Sequence, residues 1–121
     1  MSKTEVLTDG ERLTYKSSFI ALPIGQKIYF LSLLSHQVTV YARGAYPEQT
    51  QDEKVVGKLM TFNELQHNIS GLLRDMLAKD EKRYPDDVFI DILFGKAQTG
   101  GCESDLAGAF DFAFKLLPPG E

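Results

Sequence analysis

The side chains best suited to chemistry are few and scattered along the chain. Glu64 and His67 stand three apart, the Glu-x-x-His spacing that sets a carboxylate and an imidazole on one helix face. Di-metal sites in helical bundles are built from such pairs. A di-metal site needs two of them, and the only other histidine, His36, has Leu33 where the acid would stand. A helical wheel also turns His67 away from the Leu65, Ile69, Leu72 and Met76 face, so it points out of a bundle core. Glu64 has a plainer reading as the reciprocal partner of Thr61 in a Thr-x-x-Glu capping box. Glu64 and His67 are thus the chain's metal candidates without a second pair, and no cofactor is expected.

A second polar constellation lies between Ile24 and Arg43. With Ile24 at zero on a wheel, Ser32, His36, Thr39 and Arg43 share one narrow stripe. An imidazole and a guanidinium in line are suited to holding an anionic ligand or relaying a proton. The same stripe is also what a soluble helix ordinarily shows to water. Near its end, Tyr41, Arg43 and Tyr46 form an aromatic-plus-arginine group, a composition enriched at protein-interface hot spots. Cys102 follows Gly100-Gly101 ahead of the last helix, where a thiol can be activated by the helix N-terminus. Activation needs a base in reach, and no cysteine-enzyme signature surrounds it. Asp86, Asp87 and Asp91 cluster at another helix start. The dipole accounts for the first two, and Asp87 with Asp91 has the spacing of a weak cation site. Phosphate-binding Gly-x-x-x-x-Gly-Lys-Ser/Thr, Gly-x-Gly-x-x-Gly, His-Glu-x-x-His and Gly-x-Ser-x-Gly patterns are absent from the chain.

These residues have to be positioned by helices. No Gly or Pro interrupts residues 26–43, which predicts one long helix despite the strand propensity of residues 38–41. It is apolar around most of its circumference, and Tyr29, Leu33 and Val40 carry the arc almost to the far side. Val55, Val56, Leu59 and Met60 predict a short helix, followed by a second that starts at the Thr61 box and runs through Leu77. Pro85 with Asp86 and Asp87 predicts a helix start. Val88, Phe89, Ile92 and Leu93 form its core face, and Ile90 and Phe94 lie beyond it. The last helix is read as capped by Ser104, with Leu106, Ala109, Phe110, Ala113, Phe114 and Leu117 inward and Phe112 beside them. Pro118-Pro119 stops it. Asp9-Gly10 has the chemistry of a two-residue hairpin turn, so residues 1–20 read as a short β-hairpin or a flexible tail.

The expected fold is all-α, a four- to five-helix bundle in one domain over residues 1–121. With 43% hydrophobic residues the chain can build one core. Its 13 basic against 17 acidic side chains, a net charge of −4, argue against a nucleic-acid partner. Residues 28–42 lack formal charge but are too short and too polar for a membrane span, so no membrane partner is expected. Neither a secretory signal nor a lipidation box is recognised, and a single cysteine suits a reducing, cytoplasmic setting. Three helices carry apolar arcs wider than one contact face needs. The chain is therefore expected to be a homodimer and a non-enzymatic interaction module, an adaptor or regulator with a protein partner still to be identified. Tyr29, Leu33, Val40, Tyr41, Arg43, Tyr46 and Phe112 are its interface candidates. The alternative is a small ligand- or metal-binding protein or enzyme using His36 and Arg43, or Glu64 and His67.

Overall fold

The structure is a computed structural model and describes residues 7–45, 53–78 and 85–117. Among the described residues it is an all-α bundle of five helices: α1 (Asp9–Ile20), α2 (Ile24–Ala45), α3 (Glu53–Ala78), α4 (Asp86–Thr99) and α5 (Glu103–Leu116). The long α2 packs against α3 on one side and α5 on the other. α4 closes the bundle against α3 and α5, and α1 lies across α4.

α1 replaces the expected hairpin or tail. Thr8 Oγ1 accepts the Glu11 N–H at 3.1 Å, and Glu11 Oε1 accepts the Thr8 N–H at 2.8 Å. This reciprocal box satisfies two N–H groups that a helix start leaves open. Asp9 and Glu11 in the first turn suit the dipole, so Asp9-Gly10 opens a helix rather than turning a hairpin.

α3 likewise corrects the expected break at Thr61. The helix runs unbroken from Glu53, and the Thr61 hydroxyl donates to the Gly57 carbonyl at 2.9 Å. A threonine inside a helix has that carbonyl as a ready acceptor. The buried stripe Phe62, Leu65, Ile69, Leu72 and Met76 supplies the packing that carries the helix through.

α4 starts after Pro85 and turns Phe89, Ile90, Leu93, Phe94 and Ala97 inward. Its core face is rotated from the expected one. Ile90 is 1% exposed and Val88 38% exposed. Lys27 Nζ meets Asp86 Oδ2 at 2.7 Å and fastens the start of α4 to α2. Two glycines then let the chain reverse. Gly101 has φ +73°, which favours a residue without a Cβ. At Gly100 a Cβ would collide with the Thr61 side chain, so glycine is what allows α3 to pass. Cys102, not Ser104, holds the N-cap position of α5, because the Leu106 N–H already bonds the Cys102 carbonyl at 3.1 Å.

Phe110 is the centre of the core. Its ring centroid lies 5.3 Å from that of Phe30, 5.1 Å from Phe94 and 5.6 Å from Tyr15, so it joins four helices. Full burial of such a side chain is worth roughly 1.5–3 kcal/mol, and each aromatic pair adds about 0.5–1.5 kcal/mol. Leu33 and Phe112 are half-buried. Among the described residues no helix is long and apolar enough to cross a membrane.

Candidate functional site

Two surfaces of α2 stand out. Its core side carries Phe30, Leu31, Leu34 and Val38, all buried. On the opposite side Tyr29 is 49% exposed and Val40 43% exposed, with the half-buried Leu33 and the exposed His36 between them. Residues 29, 33, 36 and 40 recur at helical spacing and so make one continuous face. Gly25, Ile28, Tyr29, Ser32 and Leu33 line a shallow depression at its N-terminal end.

The predicted polar stripe divides between this face and a neighbouring groove. Ser32 Oγ turns back to the Ile28 carbonyl at 3.0 Å, and Thr39 Oγ1 to the Ser35 carbonyl at 3.0 Å. His36 stands on the open surface. Thr39 and Arg43 instead border a groove of about 730 Å³ between α2 and α3, floored by Val38, Ala42, Leu59 and Phe62, with Asn63 and Gln66 on the far wall. Of the aromatic-plus-arginine group, Tyr41 packs toward α3 and α5. It is half-buried, 6.3 Å ring to ring from Phe62, and its hydroxyl lies 3.2 Å from where a Gly108 Cβ would be. Tyr46 lies outside the described residues.

Glu64 and His67 are both exposed on α3. The Glu64 carboxylate faces Lys96 Nζ at 3.7 Å across the gap to α4 rather than capping a helix. Among the described residues no group of three His, Cys, Asp or Glu side chains converges closely enough to hold a metal ion. Cys102 is fully buried. Burial, reinforced by the Asp105 carboxylate and opposed by Lys58, pushes its thiol up to about 11. Such a thiol is protonated at neutral pH, so the α5 N-terminus does not make it a nucleophile.

Two polar groups, one buried and one half-buried, escape sequence reading. Glu103, 1% exposed, accepts the Leu7 N–H on Oε1 at 2.8 Å and Arg12 Nη1 on Oε2 at 2.7 Å. Arg12 also meets Asp9 at 2.7 Å, and hydrogen bonds to Asp9 and Glu103 raise its already high pKa. Gln66 donates from Nε2 to Ser35 Oγ at 2.7 Å, while its buried Oε1 has no partner among the described residues. No spacing rule marks either one. Glu103 reads as an ordinary first-turn acid, and Gln66 as a polar position on α3. Comparison of the chain with known protein families, with curated proteins and with solved structures gives no match.

Proposed function

We propose that the protein is a non-enzymatic interaction module, an adaptor or regulator, that acts as a homodimer joined through the outer face of α2. The observation that carries this reading is the continuous face of Tyr29, Leu33, His36 and Val40 on a helix whose other sides are taken by α3 and α5. The face is complementary to itself. A twofold axis between Leu34 and Ser35 would set Tyr29 against Val40 of the partner subunit, and Leu33 against His36 of the partner subunit. Each contact then occurs twice, as a closed twofold interface requires. Residues 28–42 hold no Asp, Glu, Lys or Arg, so two copies of a chain with net charge −4 meet here without repulsion. A buried, protonated Cys102 suits a reducing cytoplasm.

Light scattering on the full chain tests the reading. The expected mass is twice 13.5 kDa, falling to the single-chain mass in Val40→Asp with the helical circular dichroism unchanged. A wild-type protein that stays single-chain at its highest soluble concentration sinks the proposal.

A further inference from the structure

The groove between α2 and α3 has features that self-association does not use. Its volume of about 730 Å³ lies within the range of small-molecule sites. Its floor is apolar, with Val38 and Phe62 fully buried beneath it. Among the described residues that line it, Arg43 is the only charged side chain and none is an acid. The Arg43 guanidinium is exposed and pairs with no acid among the described residues. In a chain of net negative charge, an apolar groove bordered by one cation that has no acid partner among the described residues selects an anion with an apolar body.

The far end adds a second requirement. α2 and α3 run antiparallel, because Ser35 meets Gln66 while Arg43 and Leu59 share the other end. At about 1.5 Å per residue, Leu59 to Gln66 spans roughly 10 Å of groove wall. Gln66 spends its N–H on Ser35 and leaves Oε1 without a donor. Buried carbonyl oxygens in native proteins nearly always have a partner, so an orphan beside a groove marks a place where a ligand donor completes the set. Oε1 itself is closed off from solvent, so the Gln66 side chain, which lines the groove, has to rotate for a ligand donor to reach it.

We infer that this groove binds a free carboxylic acid with an extended apolar body, its carboxylate on Arg43 and a hydroxyl at its far end on Gln66. Decanoate and 10-hydroxydecanoate are suitable probes, since the second differs only by a hydroxyl about 12 Å from the carboxylate in an extended chain, matching the roughly 10 Å of groove wall plus the reach of the Arg43 side chain. Isothermal titration of the full-length protein reads both. Decanoate binds saturably, and Arg43→Gln weakens it about tenfold. 10-Hydroxydecanoate binds about fivefold tighter than decanoate, and Gln66→Leu removes that advantage while leaving decanoate binding in place. Circular dichroism checks that both variants keep the fold. Two results overturn the inference. One is absence of saturable decanoate binding by the wild type. The other is equal decanoate binding by wild type and Arg43→Gln, which would mean non-specific uptake by exposed apolar surface. Equal affinities of the two probes for the wild type overturn the Gln66 assignment.

Discussion

Glu103 and Gln66 both carry carbonyl or carboxylate oxygens withdrawn from water, the first in a buried side chain and the second in a half-buried one, and the bundle treats them in opposite ways. At the α1–α5 end the Glu103 carboxylate is 1% exposed and each oxygen has a donor, one from the Leu7 backbone and one from Arg12. At the α2–α3 groove the Gln66 amide is half-used, and Arg43 at the other end meets no acid among the described residues. The contrast follows from cost. A buried charge is tolerated only with nearly complete compensation, whereas a neutral amide can be left short by one bond. The first region is a fastener that holds α1 onto the bundle. The second keeps polar capacity in reserve beside open volume, which is what a binding surface needs.

Breaking the fastener should have the largest effect. Glu103→Ala strands the Leu7 N–H and releases Arg12, and is expected to lower unfolding stability by about 3 kcal/mol in a denaturant titration. A loss below about 1 kcal/mol would show that Glu103 is no more structural than Gln66, and the contrast between the two regions would fall.

Alkaline titration sharpens the picture of the same end. Tyr15, raised to about 12, owes the shift to burial first and then to the hydrogen bond from its hydroxyl to Asp111, 2.9 Å away. Cys102 stands at about 11, chiefly through burial. For both groups the folded state holds its proton more tightly than the unfolded chain does. Their contribution is therefore fully present below the ordinary values of 9.0 and 10.0, and is lost as pH rises toward 11 and 12. Stability measured between pH 8 and pH 12, values chosen to bracket that window, should fall steadily, and Tyr15→Phe should flatten the upper part of the decline. A variant with the wild-type profile would remove Tyr15 from the account.

The smallest effect is expected at the groove itself. Gln66→Leu loses the bond to Ser35 but also removes an unpaired buried oxygen. The unliganded protein should then stay within about 1 kcal/mol of wild type, in either direction. A loss as large as that of Glu103→Ala would make Gln66 a structural group and the groove ordinary packing.

Much of the helical plan was legible in the chain. The inward faces of the central helix and the last helix follow from their apolar periodicity, because burial repeats every three to four residues and side chains alone report it. Helix ends were less legible. Among the described residues the Thr-x-x-Glu pattern occurs at Thr8 and at Thr61, and of these two only the first is a cap. The two differ in what precedes them. Thr61 follows Leu59 in an apolar stripe that continues on both sides, so propagation of the helix outweighs a stop. The sequence before Thr8 carries no such apolar stripe. Of the candidate site, Thr39 and Arg43 were readable as a polar stripe. Their grouping with Phe62, Asn63 and Gln66 was not, because those residues lie on another helix.

By itself the sequence determined that this protein is helical, which faces are oily, and that residues 28–42 form a strip without formal charge that a second copy can approach. Only the tertiary structure decided which oily faces are used up, that Glu103 meets Leu7 and Arg12 from 96 and 91 residues away, and that Gln66 is left with a spare oxygen. The reason is one of range. Helix formation is governed by neighbours within a turn or two, whereas the docking of helices sums many weak contacts between distant segments, and no local pattern records that sum.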